Sequence, residues 1–259
     1  LGDAIRRAGG DVARLRAGHV ALEPARIARF VELHIEQGPV LIEAGRAIGV
    51  VTGICGSLRF RAACGIGAYM HSGATPRSHR RDAVVGVSAL VLAMQRDWAE
   101  LEALGHELTV TTGCFSTDPR QADFSKVAGR VDFCIDLRSR SPATLAEMAA
   151  RLRRAVMAVE AAHGIAIDLG PRTGSEPAVM DPGLRAGLVR TARGMALAHR
   201  EMPSGAGHDA AVFAGMGVPS AMIFVRNAHG SHNPDEAMDL ADFADAARLL
   251  AAALDDDFI

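Results

Sequence analysis

Cysteine is scarce in this 259-residue chain, and the four present, Cys55, Cys64, Cys114 and Cys134, show no close paired spacing. That excludes a zinc ribbon and a disulfide framework, and the apolar segments around them predict four small buried hydrophobes. Excess charge of either sign is also lacking. With a formal net charge of -2, no polyelectrolyte attraction to nucleic acid or to an anionic membrane is expected. No apolar run approaches bilayer length, and the start "LGDAIRRAGGDVARLRAG" lacks the apolar core of a signal peptide, so a cytoplasmic location is expected. Internal repeats and low-complexity tracts are absent. What the chain does have is apolar mass, 49% of its residues, enough for one large core or two modest ones. It opens on Leu1 and an amphipathic helix with no lead-in, and so reads as an excerpt of something longer.

Between about Thr52 and Thr173 the patterning is clearest. In "SLRFRAAC" Leu58, Phe60 and Ala62 alternate with Arg59 and Arg61, the period of a half-buried strand. A helix is predicted from Asp82 to about Leu104, with Val84, Val87, Val91, Met94 and Trp98 as its stripe. Two strands follow, "HELTVTTGCF" and "GRVDFCIDLRS". A second helix starts at Ser141-Pro142, a side-chain cap followed by a residue whose missing N–H costs nothing there, and stops at Gly164. The strand "IAIDLG" completes the order strand, helix, strand, strand, helix, strand, that of a ferredoxin-like split unit with both helices on one face of an antiparallel sheet.

The flanks belong to another unit. "RFVELHIEQ" reads as a strand and "GPVLIEAG" as the start of a short helix. After a helix over about 181–198 come "PSGAGHDAAVFAGMG", the apolar strand "PSAMIFV", a polar loop and a terminal helix. Apolar strands alternating with helices predict an α/β unit with a mainly parallel sheet covered on both faces, a three-layer arrangement. The expected division is residues 1–52 with 174–259 as one incomplete domain, and 53–173 inserted into it.

Five places could carry chemistry. His34 stands near a strand end with Glu32 and Glu36 on its face by period two, and Gln37 and Gly38 close behind. A lone strand histidine is usually a satisfied core residue, yet ligands in open sheets gather beyond strand carboxyl ends. His232, in "NAHGSHNPDE", again follows an apolar strand. A surface loop and a metal ligand oriented by Asp235 or Glu236 are equal readings of it. In "PSGAGHDA", Ser204, Gly205, Ala206 and His208 make either an ordinary turn or a place where a ligand carboxylate or ureido oxygen meets backbone N–H groups at a helix start. A serine nucleophile fits poorly there, because no glycine-flanked elbow surrounds Ser204. His71 lies on a loop and could simply face solvent. Arg138 could pair with Asp136 or Asp168, or clamp a substrate carboxylate.

Taken together, "ELHIEQGPVL" (Glu32 to Leu41), "HSGATP" with "RRDA" (His71 to Ala83), "GRVDFCIDLR" ending at Arg138, "PSGAGHDA" from Pro203 and "SHNPDE" from Ser231 resemble the hydantoinase/carbamoylase-type amidases of the M20 metallopeptidase superfamily. The motifs run in family order over nearly the whole chain. The resemblance implies hydrolysis of the C–N bond of N-carbamoyl or ureido groups on small carboxylates, of the N-carbamoyl amino acid, beta-ureidopropionate or allantoate type. It implies two divalent metal ions (zinc, or manganese, cobalt or nickel), one bound by His34 and the other by His232. His71 would be the catalytic donor to the oxyanion, reaching the neighbouring subunit of a homodimer formed through an inserted lid domain. Gln37, Ser125, Arg138, Ser204, Gly205, Ala206 and His208 would bind substrate. Ser125 stands where the family often has asparagine, and Arg77 where it has methionine. The family's other metal ligands and its general base come from an N-terminal segment that nothing here matches, so the chain alone is expected to be inactive. Two other readings stand beside this one: an aminoacylase- or dipeptidase-like hydrolase, and a non-catalytic dimerisation or binding remnant.

Overall fold

A computed structural model describes residues 1–19 and 22–255. The chain begins with two short helices, Gly2–Arg7 (α1) and Val12–Arg16 (α2), that bury no residue. It then enters a mixed five-stranded sheet through Phe30–Ile35 (β1), the short helix Val40–Glu43 (α3) and Ile48–Ile54 (β2). Only Cys55 separates β2 from Gly56–Ile66 (β3), the first strand of a second sheet.

That second sheet keeps the predicted succession of strands and helices, with "HELTVTTGCF" divided into two strands and one strand more at the end. After β3 come the helix Ala83–Ala103 (α4), the strands Thr109–Thr111 (β4), Phe115–Thr117 (β5) and Arg130–Ser139 (β6), the helix Pro142–His163 (α5), and the strands Ala166–Asp168 (β7) and Arg172–Ser175 (β8). All pairings are antiparallel, β8 and β7 on one edge of β3, then β6, then β4 and β5. Along β6, Val131, Phe133, Ile135 and Leu137 point inward and form one core with Val87, Leu90 and Met94 of α4 and Leu145, Met148 and Leu152 of α5. Asp82 caps α4 by accepting from the N–H groups of Val84 and Val85, Ser141 caps α5 through Thr144, and Gly164 ends it at φ 62°.

Two details differ from the pattern reading. The register of β3 against β6 slips between Phe60 and Ala63, so Ala62 is exposed and Ala63 is buried. An extra residue in one strand reverses the alternation beyond it. The α4 stripe also turns slightly, burying Leu90 where Val91 was expected.

The remaining chain returns to the first sheet: Ala178–Val179 (β9), Pro182–Gly194 (α6), His199–Ser204 (β10), Asp209–Gly215 (α7), Ser220–Val225 (β11) and Leu240–Ala253 (α8). The expectation of a mainly parallel sheet is corrected here. β11 runs parallel to β1 but antiparallel to β2, and β2 is parallel to β10 and antiparallel to β9. A strand buried on both faces is continuously apolar in either direction, so "MIFV" carries no sign of its orientation. Alternate residues of β11 enter different cores: Ala221, Ile223 and Val225 pack with α6 and α8, while Met222 and Phe224 pack with Leu41, Met202 and Ala210. No helix among the described residues is long and apolar enough to cross a membrane.

The cysteines also divide. Cys55 and Cys64 are buried, Cys134 is partly so, and Cys114 is exposed, contrary to the expectation of four buried residues. Burial pushes the Cys55 thiol up to about 11. Maleimide under native conditions is therefore expected to modify Cys114 first and to reach Cys55 only on unfolding, as peptide mass mapping would read.

Candidate functional site

Three of the expected residues meet at one cleft. β1 and β11 run parallel with His34 opposite Phe224 and Ile35 opposite Val225, so both strands deliver their following loops to the same end of the sheet. There a cleft of about 870 Å³ is lined by His34, Gln37, Ser231, His232 and Glu236, among others. The Gln37 amide donates to Ser231 Oγ at 3.2 Å, closing the two loops on each other.

The loops are held in uncommon conformations. Gln37, His229 and His232 have φ of 66°, 63° and 63°, a region that L-residues enter at a cost. Buried Asn227 holds this backbone from beneath, accepting from the Gln37 N–H at 2.9 Å and donating to the Gly230 carbonyl at 2.6 Å. The His232 N–H reaches Glu236 Oε2 at 3.2 Å. Glu36, expected to share a face with His34, instead turns away. Its carboxylate accepts from the Val40 and Leu41 N–H groups at 2.8 and 2.7 Å and caps α3.

Behind the cleft, Glu32, His34 and His208 each offer a ligand atom, and these atoms lie within 4.8 Å of one another. His34 Nδ1 donates to the Ile35 carbonyl at 2.8 Å, which leaves Nε2 as the ring atom available to a ligand. This is how a metal-binding histidine is normally oriented. The His208 ring packs edge-on to His34 at 4.8 Å and to Phe224 at 5.7 Å. Burial, then the neighbouring His34, lowers His208 to about 4, so its imidazole is neutral. Burial likewise raises the Glu32 carboxyl, with Asp209 adding to the effect and the Ala210 N–H opposing it. Two imidazoles and a carboxyl group form a donor set suited to a zinc-like divalent ion, and the residues fit one. Glu32 was not singled out as a site residue, although its period-two relation to His34 was the available signal. Asn227 had no signal beyond its place after an apolar strand.

The "PSGAGHDA" turn is bonded mostly within the fold. Ser204 is 1% exposed, and its hydroxyl is spent on His208 Nε2 at 2.7 Å and on the backbone of Ala206. The hydroxyl is thus turned toward His208 and its own turn. His208 is equally covered, its side chain 2% exposed. The N–H group of Ala210 in the first turn of α7 is taken by Glu32 Oε2 at 2.7 Å, so no ligand carboxylate is needed there. Gly205 is exposed, and its carbonyl accepts from Arg138 Nη1 at 2.9 Å, joining two expected site residues far apart in sequence. The rest of the Arg138 guanidinium grips Asp136 Oδ2.

His71 and Ser125 sit together, away from the His34 cleft. The Ser72 N–H donates to the Ser125 carbonyl at 2.8 Å, and Ser125 Oγ bonds Asp123. His71 Nδ1 accepts from the Gly73 and Ala74 N–H groups, each at 3.1 Å, which places the ring proton on exposed Nε2. That nitrogen is a fixed outward donor.

Residues 7–256 match the model of peptidase family M20/M25/M40. The chain belongs to this family. Among M20 relatives it is 36% identical over 229 residues to an allantoate amidohydrolase of Escherichia coli, covering 88% of this chain and 54% of that protein. It is 34% identical to an N-carbamoyl-L-amino-acid amidohydrolase of Paenarthrobacter aurescens, covering 86% and 52%. A crystal structure of a hydantoinase/carbamoylase family amidase from Burkholderia multivorans superposes with a TM-score of 0.75 at 32% identity, covering 87% of this chain and 53% of that one. The chain thus spans about half the length of the curated M20 relatives it matches.

Proposed function

We propose that this chain serves a metal-dependent amidohydrolase that cleaves the C–N bond of N-carbamoyl or ureido groups on small carboxylates. The observation that carries the reading is the meeting of His34, Gln37 and His232 at one cleft beyond the parallel strands β1 and β11, in a chain of the M20 family. The names of its relatives, allantoate and N-carbamoyl-amino-acid amidohydrolases, supply the substrate class.

In this reading His34 holds one of two divalent ions and His232 the other, with Glu32 and His208 behind His34. When bound, the ions would polarise the ureido carbonyl and activate water. Gln37 faces the substrate from its strained turn. The antiparallel unit over residues 53–173 acts as the lid and as the surface for a homodimer, within a three-layer arrangement, in the cytoplasm. From that unit His71 offers Nε2–H to the developing oxyanion of a neighbouring subunit, a contribution typically worth about 3 kcal/mol. Arg138, with Gly205, receives the substrate carboxylate, exchanging part of its hold on Asp136 for a two-pronged contact. Closure then excludes water from the reacting group.

The test has two readouts. Equilibrium dialysis of the chain against zinc or manganese should show binding that His34→Ala abolishes. Ammonia release from allantoate and N-carbamoyl-L-amino acids, measured on the polypeptide in its full coding context, should fall more than about 100-fold in His34→Ala and in His232→Ala, beyond what outer partners of a metal site cost. The 259-residue chain assayed alone should show none. Full turnover in either variant would refute the assignment.

A further inference from the structure

The run "RSHRRDA" contains more positive charge than the proposed reaction uses. Arg77, Arg80 and Arg81 line a cavity of about 750 Å³ between the start of α4 and the end of α5, together with His79 and His163. None of the three arginines forms an ion pair with any described residue. The one carboxylate of the lining, Asp82, directs Oδ1 at the Val84 and Val85 N–H groups as the helix cap.

What holds these guanidinium groups is neutral. Arg80 donates through Nε to the Thr75 carbonyl at 3.0 Å and through Nη2 to the Ser72 carbonyl. Arg81 donates through Nε to the Gly164 carbonyl at 2.7 Å. Backbone carbonyls fix the direction of a cation without cancelling its charge. Three like charges brought within five residues therefore face one cavity with the single charge of Asp82 against them, a net excess of positive charge, with Arg80 Nη1, both terminal nitrogens of Arg81 and all of Arg77 free to donate. Planar, forked donors of this kind match an oxyanion in two-pronged bonds. The charge is confined to a cavity and the chain as a whole is at -2, which fits a small anion and not a polymer.

We infer that this cavity binds a small, multiply charged oxyanion of the phosphate class, free in solution. The site is separate from the His34 cleft, and its occupancy would be felt elsewhere. Arg80 is tied to the carbonyls of Ser72 and Thr75, the same loop whose Gly73 and Ala74 N–H groups hold the His71 ring. An anion that immobilises Arg80 immobilises the His71 loop.

Calorimetric titration of the chain with inorganic phosphate and with pyrophosphate, at low chloride, tests this without any assay of turnover. Saturable one-to-one binding is expected, tighter for pyrophosphate and weakened by added salt. Arg77→Glu should weaken it at least roughly tenfold with an unchanged unfolding midpoint, since the Arg77 side chain bonds nothing in the fold. Arg81→Lys, which keeps the charge and loses the fork, should fall between. Hydrogen exchange of the Ser72–Thr75 amides should slow when pyrophosphate is present. No saturable binding below about 10 mM of either anion, the ordinary range of weak site binding, would overturn the inference. So would equal affinity in Arg77→Glu, or binding seen only to vesicles containing phosphatidic acid.

Discussion

Replacing Phe224 by alanine is expected to lower the free energy of unfolding by about 3–5 kcal/mol, the range for deleting a large aromatic from a packed core. Phe224 is 1% exposed and sits in the middle of the first sheet, opposite His34 on one side and Gly49 on the other. Its surroundings cannot collapse into the space. A Cβ on Gly49 would already lie 3.0 Å from the Phe224 Cβ and 3.0 Å from the Met202 sulfur, so that wall is backbone. The ring also meets the edge of His208, and its loss would unseat the group behind His34. Urea unfolding followed by circular dichroism gives the measurement. Phe224→Leu should cost clearly less, because most of the volume is kept. A loss below about 1 kcal/mol for alanine would mean that this core is not packed as described.

Stability is also expected to fall steeply on mild acidification in metal-free, chelated solution. His208 is neutral in the fold down to about 4, whereas its ordinary value is 6.5. Below 6.5 the unfolded chain takes up a proton that the folded chain refuses. The stability tied to this group is thus complete above about pH 6.5 and is lost between there and about 4. The gap corresponds to about 3 kcal/mol. Glu32 acts in the opposite sense. Its folded carboxyl, raised by burial, keeps a proton that the unfolded chain releases, so its contribution is present below the ordinary value and lost as pH rises through the folded one. The net slope should be shallower than His208 alone would produce. Denaturant midpoints measured from pH 7 to 4 test this, with His208→Asn as the control. If the variant loses as much stability as the parent over that interval, His208 is not the group responsible.

Much of the second sheet was legible from patterning. Strand β6 alternates without a break, and Asp82, Ser141, Pro142 and Gly164 mark helix ends by their own chemistry, so local rules placed α4, β6 and α5 almost to the residue. The first sheet was read less well. The strands "IGVVTGI" (β2) and "HREMPS" (β10) carry no local signal, since neither alternates and both depend on neighbours for burial. At the cleft, His34 near the end of β1, Gln37 just beyond it and His232 in the loop after β11 stand out in the sequence because apolar strands mark their positions. The direction of the Ser204 hydroxyl, toward His208 and its own backbone, is not legible in the sequence because packing decides it.

From sequence alone came the local elements, the family resemblance and the residue types at strand ends, because caps, periods and motifs are set by neighbours within a few positions. Tertiary structure alone decided that β11 runs against β2, that Glu32 and His208 stand behind His34, and that Glu36 caps a helix. It also set Arg77, Arg80 and Arg81 beside His163 and Gly164 of the distant helix end at one cavity. Those outcomes depend on which distant segments exclude water from one another, and no local pattern records that partner.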